Sequence, residues 1–161
     1  MQMSNTVEYA LRAVVWLSDH ADQSHTSHSI AEATRMPSSY LSKILKSLSH
    51  AGIVTGQRGV NGGYTLNRDP NGLSILEVVN AVEPVQRIRA CPLGLENHGK
   101  NLCNLHRTLD DVMIDIEKAF ANHTIGQMLT KPNRVKPLCG VTVKGKKALD
   151  AVGPQSTGIR R

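Results

Sequence analysis

The chain has 161 residues, enough for one domain with an attached helix or tail. Its aromatics are Trp16, Phe120 and three tyrosines, so a core must be built from Leu, Ile, Val and Ala, which favours packed helices. The formal net charge of +6 is unevenly placed: residues 131–161 set eight Lys/Arg against Asp150, a net +7, whereas residues 1–130 carry a net −1. No apolar run reaches membrane-spanning length, and Glu8 and Arg12 interrupt the apolar pattern a signal peptide would need. A cytoplasmic protein with no membrane partner is therefore expected.

Met3, Val7, Leu11, Val14 and Leu17 form a helical stripe over residues 3–20. Ser29-Ile30-Ala31-Glu32 is a capping-box pattern that predicts a helix start near Ser29, and Pro37 predicts its end near Met36. Pro37 or Ser38 opens the next helix, whose stripe is Leu41, Ile44, Leu45 and Leu48, with Gly52 as its terminator. Ile53-Val54-Thr55 and Tyr64-Thr65-Leu66 are strand candidates around a loop holding Gly59, Gly62 and Gly63. Ser74-Ile75-Leu76-Glu77 is a second capping box, for a helix to about Val82.

Residues 84–104 lack helical periodicity and contain two of the three cysteines. A long amphipathic helix follows, with Leu105, Leu109, Val112, Ile116 and Phe120 on one face, then a short helix capped by His123-Thr124. From Lys131 on, prolines, glycines and clustered Lys/Arg suggest a flexible basic tail, in which Cys139 reads as incidental. The expected organisation is a mainly α fold. Residues 1–83 form a winged helix-turn-helix with a two-stranded wing, 84–104 a Cys/His loop, 105–130 a long helix with a short capping helix, and 131–161 the tail.

Helix, turn, helix, strand, glycine loop, strand is the order of a winged helix-turn-helix, which seats its second helix in the DNA major groove. The residues at the start of that helix, Ser38, Ser39, Tyr40, Ser42 and Lys43, would meet base edges, with Lys46 one turn further. The glycines let the wing approach the sugar-phosphate edge, where Arg58 and Asn61 would bind beside Gly62, Gly63 and Tyr64. Residues 29–68 carry five Lys/Arg against Glu32, a local +4 that suits phosphate attraction. Helix capping by Ser38 and Ser39, and an ordinary hairpin, are the plainer explanations of the same residues. An enzyme is not expected: no nucleophile–base pair, phosphate loop or paired carboxylates stand in the sequence.

Cys91 and Cys103 lie twelve apart, and Cys103-Asn104-Leu105-His106 puts a thiol and an imidazole one helical turn from each other. With His98, and Glu8 from the first helix, these are candidate metal ligands. Zinc, a metal-free thiol pair, and a merely buried Cys91 remain open alternatives.

Glu8-Tyr9-Ala10-Leu11-Arg12, Ile30-Ala31-Glu32, Tyr40-Leu41-Ser42-Lys43-Ile44-Leu45, Ala51-Gly52-Ile53-Val54, Arg58-Gly59 with Gly62-Gly63-Tyr64, and Val78-Val79-Asn80-Ala81-Val82 together resemble the Rrf2 family of winged-helix transcription regulators, IscR- and NsrR-like members included. The resemblance implies a homodimer held by the helix at 105–121, with each winged unit on half of a pseudo-palindromic double-stranded operator. It also implies a sensor of redox, iron–sulfur status or nitric oxide, through an iron–sulfur cluster, for which 2Fe-2S is one form. Cys91 and Cys103 match the outer two of three cluster cysteines, whereas the middle place falls on Asn97, beside His98. His106 and Glu8 match positions where some members place further ligands. The alternative is a metal-free regulator responding to thiol chemistry or a small ligand, acting partly through protein contacts.

Overall fold

The computed structural model describes residues 3–59, 62–94, 101–130 and 135–138. Six helices and one hairpin follow in the order α1 (Asn5–Asp19), α2 (Ser27–Thr34), α3 (Ser38–His50), β1 (Val54–Gln57), β2 (Gly63–Leu66), α4 (Ile75–Val82), α5 (Asn104–Ala121) and α6 (Ile125–Thr130).

Helix α1 is capped by Ser4, whose hydroxyl accepts from the Val7 N–H. It buries more than the predicted stripe: Ala10, Ala13, Val15 and Trp16 join Val7, Val14 and Leu17, because α2, α3, α4 and α6 surround it. Met3, at the end of that stripe, is exposed instead. Each large apolar side chain so buried is worth about 1.5–3 kcal/mol.

Helix α2 begins two residues before the expected start. Thr26 takes the cap, its hydroxyl accepting from the Ser29 N–H at 3.1 Å, while Ser29 sits inside the first turn and donates back to the Thr26 carbonyl. The pattern at Ser29–Glu32 lost to a competing cap three residues upstream. Arg35 ends α2 in the left-handed conformation (φ 54°), and Pro37 starts α3, so the turn of the helix-turn-helix is three residues long. Helix α3 buries Leu41, Ile44, Leu45 and Leu48 as the periodicity requires, and Gly52 at φ 70° terminates it.

The strands pair antiparallel from Val54–Leu66 to Gln57–Gly63, with Ile53 buried just ahead of the sheet. A further rung comes from outside the hairpin. His25 and Tyr64 exchange backbone hydrogen bonds of 3.0 and 2.7 Å, which ties the wing to the α1–α2 connection. Gly63 is required there, since a Cβ would fall 2.6 Å from the His25 carbonyl oxygen.

The second capping box is formed: Ser74 and Glu77 satisfy each other reciprocally, and Arg68 pairs with Glu77 at 3.0 Å. Those Ser74 bonds, chiefly, hold the Glu77 carboxyl below the usual range. Helix α6 is pinned by a bridge between Ser74 and Thr124, with Ile125 fully buried. None of the side chains of α5 is buried among the described residues. Beyond Lys131, residues 135–138 lie against α1, with Lys136 pairing to Asp19 at 2.6 Å and Leu138 packing on the core.

Gly63→Ala should cost about 1–3 kcal/mol, the scale of an overpacked contact. A urea titration checks this, and loss of amide protection at His25 and Tyr64 should accompany it.

Candidate nucleic-acid interface and Cys/His site

Helix α3 divides cleanly. Its apolar side chains face α1 and α4, and Ser38, Ser39, Tyr40, Ser42, Lys43 and Lys46 are exposed on the other face. Ser42 donates to the Ser38 carbonyl at 3.0 Å, which leaves its oxygen's lone pairs outward. Tyr40 is anchored: its hydroxyl shares a 3.2 Å hydrogen bond with Thr6, and its ring stands edge-on to Tyr9 at 5.8 Å. Arg12 lies over the Tyr9 ring and donates to the Thr34 carbonyl, so α1 buttresses both the turn and the start of α3.

Between α3 and the hairpin runs a groove of about 470 Å³, lined by Ser42, Lys46, Ser49, His50, Gln57, Arg58 and Tyr64 among others. Arg58 is exposed where β1 enters the wing loop. Gly62 and Gly63 have structural reasons to be glycine: a Cβ at Gly62 would fall 2.5 Å from the Gln57 carbonyl, and Gly63 abuts His25. Tyr64 is half-buried, its ring against Gly56 and the core. Asn61 lies outside the described residues. Ser49, His50 and Gln57 were missed by the sequence reading; the hairpin register, with Gln57 opposite Gly63, is what would have placed Gln57 on this groove.

The candidate ligands are only partly gathered. Cys103 caps α5, and its Sγ lies 3.4 Å from Nδ1 of His106 in the first turn. Cys91 is buried at the start of the preceding loop, its carbonyl accepting from the Gly94 N–H at 3.0 Å. Glu8 is engaged by Arg12 within α1. Among the described residues no three His, Cys, Asp or Glu side chains converge. His98, Asn97 and Cys139 lie outside those residues, although Pro137 and Leu138 line a cavity with Glu8 and Arg12. An iron–sulfur cluster takes four protein donors. Of the described candidates, only Cys103 and His106 are brought together, so the described residues by themselves do not make up such a set.

The model of the Rrf2 family, described as an iron-dependent transcriptional regulator, matches residues 3–131. The chain belongs to the Rrf2 family. A protein of Aquifex aeolicus (strain VF5), named as an HTH-type transcriptional regulator, is 26% identical over 132 residues, 80% of this chain and 92% of its own length. Among solved structures, T. potens IscR superposes with a TM-score of 0.66 at 23% identity, covering 80% of this chain and 86% of that one. CymR (YrzC), the global cysteine regulator of B. subtilis, gives 0.63 at 18% identity, covering 78% and 94%. The structural matches carry the winged-helix fold. The family and the Aquifex relative are transcriptional regulators, not enzymes.

One further cluster of this Rrf2 chain had no local sequence signal. Arg87, in the segment after α4, donates a two-pronged bond to Asp110 of α5 (2.7 Å on each prong) and a third bond to Glu117 (2.9 Å). Asp110 also accepts from the Ile88 N–H at 2.9 Å. The guanidinium bonds, foremost, hold the Asp110 carboxyl down at about 2, and the two carboxylates push Arg87 up.

Because Asp110 is depressed below its ordinary 3.8, its contribution to stability is present above that value and lost as the pH falls toward 2. Urea midpoints of wild type and Asp110→Asn should therefore differ at pH 5 and converge as the acid limb is descended.

Proposed function

We propose that this Rrf2 protein is a homodimeric, cytoplasmic regulator that binds operator DNA through α3 and the wing. The Cys103–His106 end of α5 is its signal-receiving site. The observation that carries the first part is the face where the exposed polar side of α3 adjoins Arg58 across an open groove. Its hydroxyls are short enough for close approach, and Lys43, Lys46 and Arg58 supply positive charge where phosphates would lie. The bases of this face are local: residues 69–130 carry eight acids against five Lys/Arg.

The dimer reading is supported by α5. Leu105, Leu109 and Val112 are 65%, 43% and 47% exposed, at spacings that make one stripe. A second copy laid along that stripe would cover it. The sensing reading is supported by the paired Cys103 and His106. With Cys91, His98 or the partner's Glu8 added, the pair becomes a mixed Cys/His metal site. The second reading, a thiol-responsive regulator without metal, rests on the same pair, with Cys103 Sγ 3.4 Å from His106 Nδ1. In either case the signal works only by binding or modifying two dimer states unequally.

Lys43→Ala and Arg58→Ala should each weaken binding to operator duplexes and lower the slope of log affinity against log salt by about 1, with unchanged thermal melting. Unaltered affinity in both would remove these residues from the interface. Leu109→Glu should convert the dimer to monomer in sedimentation. Anaerobic purification, with iron, sulfide and zinc analysis and a visible spectrum, separates the two sensing readings: a colourless, metal-free, DNA-binding protein selects the thiol one.

A further inference from the structure

Helix α5 is weakly seated on the body that carries α3. It packs against α4, with Phe120 partly buried on the Val7, Ile75 and Val79 cluster, but none of its side chains is fully buried among the described residues. Beside that contact lies a cavity of about 620 Å³ lined by Met113, Ile116 and Phe120 with Val7 and Val79. Apolar packing across such a gap defines an angle poorly, because many nearby poses bury nearly the same area. A two-pronged guanidinium–carboxylate bond defines one well, since both prongs form only when the two planes coincide. Arg87 makes that bond to Asp110, and its third donor reaches Glu117, seven residues or two helical turns further along the same helix. Asp110 also receives the Ile88 N–H, so backbone and side chain of the segment after α4 are held together. The clamp therefore fixes α5 at two points along its axis, from the segment that leaves α4, the helix packed on α3.

From this geometry we infer that Arg87 is the positioning residue that sets the separation and angle of the two α3 helices in the dimer, and so determines which half-site spacing the protein accepts. The inference rests on the dimeric reading above. In a two-fold dimer joined through α5, rotation of α5 on its own body is the rotation of one recognition helix relative to the other. Two half-sites on one face of B-DNA are a helical turn of about 34 Å apart, or a multiple of it, so a small angular change at α5 becomes a mismatch of register at the DNA. The hydrogen bonds of Arg87 go to Asp110 and Glu117 and to none of the polar side chains of α3. Its loss should leave each half-site contact intact.

The test uses the full chain. Duplexes bound by wild type are selected from a random-sequence pool, and the dominant site is resynthesised with its centre lengthened or shortened by one and two base pairs, and as a single half-site. Wild type, Arg87→Met, which keeps the apolar stem, and Asp110→Asn, which weakens the clamp from the other side, are compared. Wild type should prefer its selected spacing by about tenfold or more. Both variants should keep wild-type affinity for the single half-site and remain dimeric in sedimentation, while their preference among spacings falls to about threefold or less. Variants that are folded dimers and discriminate spacings as wild type does overturn the inference and leave the dimeric reading standing. A wild-type chain that sediments as a monomer, or selects no duplex, overturns that reading and the inference with it. If Arg87→Met melts early, Asp110→Asn, which can still accept the Ile88 N–H, decides the question.

Discussion

The structure depends on the burial of α1 on several sides at once. An amphipathic helix needs one apolar stripe, and α1 has small or apolar residues almost all round from Ala10 to Leu17. Ala10 and Ala13 let neighbours approach closely, while Trp16 and Leu17 fill the space between them. Helices α2, α3, α4 and α6 are placed by contact with it, and the start of α3 is steadied by Thr6, Tyr9 and Arg12. The exposed polar face of α3 is thus the outer layer of a body organised around a helix that presents little of itself to solvent.

What was legible in the sequence was what short-range chemistry decides. Pro37 cannot sit inside α2, Gly52 takes a backbone angle that other residues resist, and Ser74 closes a box with Glu77 three positions on. Each signal lies within one helical turn of the structure it specifies. The start of α2 shows where such signals fail, because Thr26 and Ser29 both make acceptable caps and the choice depends on how α1 and the wing hold His25 between them. For the candidate site, the exposed polar face of α3 and the Cys103–His106 pair followed from helical periodicity. The groove residues Ser49, His50 and Gln57 did not, since they meet only after the hairpin folds back on α3.

Long-range polar contacts left no trace in local pattern. Arg87 and Asp110 are 23 residues apart, and nothing beside either says that the other exists. The same holds for Lys136 with Asp19, which brings part of the basic C-terminal stretch onto α1 where composition alone suggested free chain. The local excess of bases over residues 29–68 is a property of composition, whereas which charges are committed to partners is decided by the fold.

An isolated two-stranded ribbon is marginally stable in water. The wing avoids that fate by borrowing its extra rung from His25, whose ring stands against Trp16, with His20 stacked on the same indole. The ribbon is in effect an arm seated on an aromatic stack inside the protein, and Arg58 lies at its far end. Under the proposed reading, repacking that stack would alter the wing's contact with DNA through the His25–Tyr64 backbone bonds. A defect in DNA reading and a defect in the core would then look alike in any assay that measures affinity alone.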